Sequence, residues 1–166
     1  MIIAAALCML QGCARPQTAK QATYEDIKGW MAAKEKMTII DVRPRDDYAT
    51  GHLQDAISID LAAFVGPAGG LIDDGEALTS TVPEQDTKII VYSCGDGNEL
   101  IFADAAVELD YTNVYYYTGG TIDWSAHGDY YVIEYEAFKA WHDEKYPFTD
   151  GKNYLIDAGP VDWYTG

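Results

Sequence analysis

Cys94 stands between the apolar run K-I-I-V-Y (88–92) and a helix-like run that begins near Leu100, inside the short loop S-C-G-D-G-N-E (93–99). A thiol in that position has a definite chemical use. Helix N-termini expose unpaired N–H groups and carry a partial positive charge, and both favour an anion such as a thiolate. Gly95 and Gly97 let the backbone curl so that successive N–H groups turn inward as a nest. The same loop carries Asp96 and Glu99, and a carboxylate within about 4–6 Å opposes ionisation of a thiol. Side chains around a nest point outward, because the N–H groups take the inside. Both carboxylates are therefore expected in solvent, where screening weakens them. On that balance the backbone cradle wins narrowly, and Cys94 is a candidate nucleophile. The plain alternative is a buried packing thiol.

Elements on either side must hold this loop. T-Y-E-D at 23–26 predicts a helix start, with Thr23 as N-cap, an acid three residues on, and Ile27, Trp30 and Met31 at helical spacing. M-T-I-I-D-V (37–42), A-I-S-I-D (56–60), K-I-I-V-Y (88–92) and N-V-Y-Y-Y (113–117) read as strands. Leu100, Ile101, Ala105, Val107 and Leu109 predict a helix with a broad apolar face. Apolar runs alternating with helices, and lacking clean in/out alternation, predict an α/β fold with a parallel sheet covered on both faces. In such sheets ligands gather at the carboxyl ends of the strands, which places Asp41 and Arg43 on the edge that carries Cys94. Asp41 is expected to brace a loop through hydrogen bonds. Arg43 is expected to pair with a nearby acid and to offset Glu99 in part. His52 is read as fixing a turn, Gly119 and Gly120 as turn residues, and Trp124 as core. Residues 66–76 are expected as an exposed loop, and Y-E-A-F-K-A-W-H-D-E-K-Y (135–146) as an amphipathic helix with Phe138 and Trp141 inward.

Composition sets the wider limits. A chain of 166 residues is long enough for one domain with a sizeable core. Its net charge of −16 disfavours nucleic-acid phosphates and anionic lipid surfaces. Histidines 127 and 142 lack ligand spacing, so neither a metal site nor a cofactor is expected. The opening M-I-I-A-A-A-L-C-M-L-Q-G-C is apolar, uncharged and too short to span a bilayer as a finished helix. Its end, L-Q-G-C, resembles the bacterial lipobox. That resemblance implies a signal peptide over 1–12, lipidation at Cys13, and a membrane-anchored lipoprotein outside the cytoplasm. Cys8 would then be discarded, leaving Cys94 as the only thiol of the folded domain. Residues 13–22 read as a tether.

Four stretches in order, I-I-D-V-R, G-H-L-Q-D-A-I-S-I, I-I-V-Y-S-C-G-D-G-N-E and Y-Y-Y-T-G-G-T-I-D-W, resemble the rhodanese-like (sulfurtransferase) domain family. The resemblance covers 23–128 and leaves 129–166 as a C-terminal extension. It implies a single rhodanese-like domain with a central parallel sheet flanked by helices on both faces. It also implies that Cys94 takes a sulfane sulfur as a persulfide and passes it from a sulfur donor to an acceptor thiol. Gly95, Asp96, Gly97, Asn98 and Glu99 inherit the role of the active-site loop. Active members commonly carry Arg at the loop's sixth position, where Glu99 stands here. An acid there repels doubly negative thiosulfate, so a weak or specialised transferase using a neutral or protein-bound persulfide is expected, with a catalytically silent binding module as the alternative. Phosphatase and arsenate-reductase relatives need a loop one residue longer that ends in Arg, and position 100 is Leu.

Overall fold

The computed structural model describes residues 18–129 and 131–145. The chain divides into two compact units, one ending at Ile133 and the other beginning at Glu134. In the first, five strands form one sheet in the order β1-β5-β4-β2-β3, with every pairing parallel. They are β1 (Lys20–Gln21), β2 (Met37–Asp41), β3 (Ala56–Ser58), β4 (Lys88–Tyr92) and β5 (Val114–Tyr117). Among the described residues of this unit, six α-helices accompany them: α1 (Tyr24–Ala32), α2 (Arg45–Thr50), α3 (Leu61–Phe64), α4 (Glu76–Thr79), α5 (Asn98–Glu108) and α6 (Gly120–Ala126); the second unit holds α7 (Tyr135–Lys145).

Alternation along the strands divides the core in two. Ile40, Ile89, Val91 and Val114 face one way and pack with Phe64 of α3, Leu78 of α4, and Phe102, Ala103 and Ala106 of α5. Ile39, Ile90, Tyr92 and Tyr117 face the other way and pack with Ile27 of α1, Tyr48 of α2 and Trp124 of α6. Strand β4 lies between β5 and β2, and Ile89, Ile90, Val91 and Tyr92 have no solvent exposure. This is the α/β architecture expected from the continuous apolar runs, whose side chains are buried on both faces. Register aligns the carboxyl ends, with Asp41 opposite Tyr92 and Tyr92 opposite Tyr117. The chain segments that follow β2, β4 and β5 thus leave the sheet along one edge.

The α1 start agrees with its sequence signature. Thr23 Oγ1 accepts the Asp26 N–H at 3.1 Å, and Asp26 Oδ2 accepts the Thr23 N–H at 2.9 Å. Other elements differ from expectation. Lys20–Gln21, expected in the tether, pair with Tyr115 and Tyr116, and Ala22 behind them is buried. The strand over 56–60 ends at Ser58, because Asp60 turns to cap α3 through the Ala62 N–H. The expected loop over 66–76 contains a 3-10 turn at Asp73–Gly75, and Gly75 is buried beside Leu109 and Phe64. Helix α7 forms as expected. Within it Phe138 packs on Trp141 with ring centroids 6.0 Å apart, but Trp141 remains half exposed.

Helix α5 presents a different face from the one its largest aliphatics suggest. Leu100 and Ile101 are 39% and 49% exposed, while Glu99, Phe102, Ala103 and Ala106 are buried. Positions 99, 102, 103 and 106 form the i, i+3, i+4, i+7 stripe that a core-facing helix requires. The aromatic ring of Phe102, tilted against Phe64 with centroids 4.2 Å apart, decides which stripe turns inward. Accordingly, Phe102→Ala is expected to cost about 3–5 kcal/mol in urea unfolding. Ile101→Ala should stay within about 0.5–1 kcal/mol, the range of surface changes. Similar losses for the two variants would contradict this orientation of α5.

Candidate active site

After Tyr92 the chain passes through Ser93, which is fully buried, and reaches Cys94, a free and partly exposed thiol. Gly95 and Gly97 both have φ of 89°, in the left-handed region that side chains with a Cβ disfavour. Their curl helps turn the chain from β4 into α5 within the five residues 93–97, and Gly97 is the α5 N-cap. Cys94 therefore lies at the carboxyl end of the central strand and before a helix N-terminus, as the spacing predicts.

A second element fixes the loop from the side. The Thr121 N–H donates to the Ser93 carbonyl at 3.0 Å. A Cβ at Gly120 would fall 2.3 Å from that carbonyl oxygen and 2.8 Å from the Gly95 nitrogen, so only glycine permits the contact. Gly119 and Gly120, read from sequence as turn residues, thus bring the start of α6 onto the cysteine loop. Tyr117 Oη donates to Asp123 Oδ2 at 2.5 Å, tying α6 to the end of β5. Sequence reading missed this role for Gly120. The available signal was a glycine pair directly after a strand that neighbours the cysteine strand.

Asp41 and Arg43 form a structural clasp. Asp41 is fully buried, and its Oδ1 accepts the Arg43 N–H and Nε–H, each at 3.0 Å. Its Oδ2 accepts from Nη2 at 2.6 Å, and Nη2 also donates to the Gly51 carbonyl at 2.6 Å. Asp41 is thus a bracing acceptor and Arg43 its ion-pair partner, as expected. The further expectation that Arg43 offsets Glu99 is not met. Arg43 bonds to Asp41 and Gly51, beside Tyr92 and α2, whereas Glu99 belongs to α5 on the other face. Burial, reinforced by the Asp41 charge, pushes the Tyr92 phenol far above its usual value, so it stays protonated, and its oxygen accepts the Leu53 N–H at 3.0 Å. His52 is structural, stacked 3.7 Å from Tyr48 with Nδ1 2.9 Å from the Tyr48 carbonyl. Among the described residues, no group of three or more His, Cys, Asp or Glu is placed to hold a metal. Cys13 lies outside the described residues.

The two loop acids separate sharply. Asp96 is exposed, as expected, with Oδ1 accepting the Asn98 N–H at 3.2 Å and Oδ2 accepting from Asn98 Nδ2 at 2.7 Å. Partial burial would raise its pKa, but the facing Ser93 hydroxyl, the Asn98 N–H and the Cys94 thiol together hold it below the usual range. The Ser93 Oγ nonetheless falls short of full hydrogen-bond geometry and has no partner. Glu99 overturns the expectation of a solvent-facing carboxylate, since the residue is only 1% exposed and its Oε2 has no hydrogen-bond partner. Burial pushes its pKa up and the Asp96 charge adds to this, while the N–H groups of Glu99 and Gly97 oppose it. The helical stripe of α5 wins over the outward preference of a nest.

With this geometry in view, comparison with known proteins gives the family. The profile described as "Rhodanese-like domain" matches residues 23–127, and the chain belongs to that family. It is a homologue of sulfurtransferases. A Synechococcus elongatus protein, named provisionally as a thiosulfate sulfurtransferase, is 30% identical over 99% of this chain, which spans only 55% of that protein. The thiosulfate sulfurtransferase structure from Pseudomonas aeruginosa superposes with a TM-score of 0.57 at 24% identity, covering 76% of this chain and 23% of that one. The rhodanese-like domain of the Anabaena Alr3790 protein gives 0.57 at 20% identity, covering 86% and 95%. These structural likenesses establish the fold.

The Glu99 environment gives a signed pH effect. Below the unfolded glutamate value, about 4.3, the carboxyl is protonated in both states and burial carries no ionic penalty. As pH rises toward the raised folded value, the unfolded chain loses the proton first and stability falls; the full penalty holds above that value. Glu99→Gln should therefore raise the urea midpoint at pH 7, with the gain shrinking toward zero near pH 4. A gain independent of pH would show that burial of the charge is not the cause.

Proposed function

We propose that this chain moves sulfane sulfur between a donor and an acceptor thiol, carrying it as a persulfide on Cys94. The observation that supports the reading is the placement of a partly exposed thiol at the end of the most buried strand, before the N-terminus of an 11-residue helix. The homologous relatives favour the same reaction class. In the first step the Cys94 thiolate attacks the outer sulfur of a donor R–S–SH. The Cys94–S bond forms, the donor's S–S bond breaks, and R–S⁻ leaves and takes up the proton that Cys94 released. In the second step an acceptor thiolate attacks the terminal sulfur, and Cys94 departs as thiolate. The oxidation level of the sulfane sulfur passes along with it, so no outside oxidant is needed.

A silent rhodanese-type binding module is the second reading. It is favoured by the two carboxylates in a loop that should welcome negative charge. Intact mass decides between them. Incubation with a thiol persulfide should add about 32 Da, one sulfur, and a following acceptor thiol should remove it. Cys94→Ser should show no gain. Failure of the native chain to gain mass while its thiol still alkylates would favour the binding module.

The reading also includes export, with a lipid on Cys13 holding the protein at a bacterial membrane outside the cytoplasm, supported by the L-Q-G-C sequence. Among the described residues no helix is long and apolar enough to cross a membrane. One acyl chain binds a bilayer only marginally, whereas two or more hold stably. Palmitate labelling in a bacterial host should mark the protein, and Cys13→Ala should abolish the mark. Persistent label on that variant would remove the anchor from the proposal.

A further inference from the structure

The rhodanese-like match ends at residue 127, but the residues just beyond it are bound into the architecture around Cys94. Asp129 is anchored on α1, where its Oδ2 accepts from Tyr24 Oη at 2.5 Å and its Oδ1 from Lys28 Nζ at 3.0 Å. Val132 forms an antiparallel bridge with His52. Its N–H donates to the His52 carbonyl at 2.9 Å, and its carbonyl accepts the His52 N–H at 3.0 Å. Tyr131 lies between these anchors, partly buried on the core face that holds Tyr117 and Trp124. Its side chain rests on Gly51, where an added Cβ would come within 3.4 Å of it. Its hydroxyl donates to the Thr121 carbonyl. Thr121 is the residue whose N–H holds the Ser93 carbonyl, and Gly51 the one whose carbonyl holds Arg43. Two consecutive residues, Tyr131 and Val132, thus join the segment after β2 to the segment after β5, and β4 with its exit to Cys94 lies between those strands.

We propose that Tyr131 is a positioning residue for Cys94, and that the segment 129–133 completes the active site beyond the limits of the family match. The proposal rests on the reading of Cys94 as a persulfide carrier. The start of α6 holds the cysteine loop in two ways. One is the Thr121 to Ser93 hydrogen bond, and the other is the Gly120 contact, where an added Cβ would fall 2.9 Å from the Cys94 carbonyl carbon. Both act only while residues 120 and 121 stay in place. Helix α6 has seven residues, and no side chain caps its N-terminus. The Tyr131 hydroxyl supplies a fixed partner at that point, because its own backbone neighbour is paired with His52. A shift of the α6 start would carry Ser93 with it and re-aim the thiol relative to the N-terminus of α5. A displacement of about 1 Å is enough to slow a reaction severely.

Two variants of the full chain separate positioning from general loosening. Tyr131→Phe removes the hydroxyl and keeps the ring. Tyr111→Phe removes the same kind of bond, from Tyr111 Oη to the Val82 carbonyl, on the opposite face of the sheet. The readouts are hydrogen exchange of the Thr121 amide, the pH profile of Cys94 alkylation by iodoacetamide, and loading of Cys94 from glutathione hydropersulfide, by intact mass, over a range of donor concentrations. In Tyr131→Phe the Thr121 amide should exchange about threefold to tenfold faster, the scale of one lost hydrogen bond. The alkylation midpoint should move to higher pH, because the thiolate is held less well before α5. The saturating loading rate should fall about threefold to tenfold, with the half-saturating donor concentration unchanged. Tyr111→Phe should match the native chain in all three. Equal changes in the two variants would mean general loosening and overturn the proposal. It is equally overturned if Thr121 exchange stays native in Tyr131→Phe, or rises while the alkylation profile and saturating rate do not move. The first two readouts need no sulfur transfer. If the native chain and both variants fail to load, the transferase reading falls, while exchange and alkylation still decide whether Tyr131 positions Cys94.

Discussion

Burial of β4 on all sides is the constraint from which the rest of the site follows. Its backbone pairs with β2 and β5, and its apolar side chains are shut from water on both faces. Parallel pairing requires each connection to cross over a face of the sheet, so helices must cover both. The chain can reach solvent only where the strand ends. Cys94 stands at that exit, which explains how one residue can be adjacent to the deepest part of the core and still be partly exposed. The same register that buries Tyr92 between Asp41 and Tyr117 brings the segments after β2, β4 and β5 to one edge.

Three different forces then act on the cysteine loop. Backbone sterics curl it through two left-handed glycines. Close packing against Gly120 fixes its lateral position, because that contact leaves no room for a Cβ. Helix periodicity places Glu99 on the buried stripe of α5. The third works against the first, since it buries an acid in a loop whose curl favours a bound anion. Burying such a group is costly when any of its atoms lacks a partner, and retention of a proton lowers that cost. The raised pKa of Glu99 and its unpartnered Oε2 are two expressions of the same packing.

The Asp41–Arg43 clasp makes a related point. The edge of a parallel sheet gathers polar residues, and a cation near a cysteine loop invites a role in holding substrate. Here the guanidinium is committed to a buried carboxylate and a backbone carbonyl, which stabilises the turn into α2. Membership of the rhodanese-like family fixes the architecture and the place of the cysteine. The charge of the loop is set by this chain's own residues, and both cationic candidates for anion binding are missing from it: Arg43 is engaged elsewhere and the sixth loop position is acidic.

Local rules settled much of this in advance. Strand β4 was legible because an apolar five-residue run ended by a small polar loop has few other readings. The α1 capping box was legible because both partners lie within four residues. The order of four motifs carried the family, and with it the place of Cys94. What the sequence alone left open depended on contacts between distant segments. Strand β1 is two residues long and exists through pairing with β5, so its own pattern carries no signal. Gly120 meets Ser93 and Gly95 only after β5 is laid beside β4. Glu99 had a local clue, its spacing to Phe102, Ala103 and Ala106, but two local rules gave opposite answers for its direction. Tertiary packing decided between them, because seating Phe102 against Phe64 fixes the rotation of the whole helix, and the carboxyl turns inward with it.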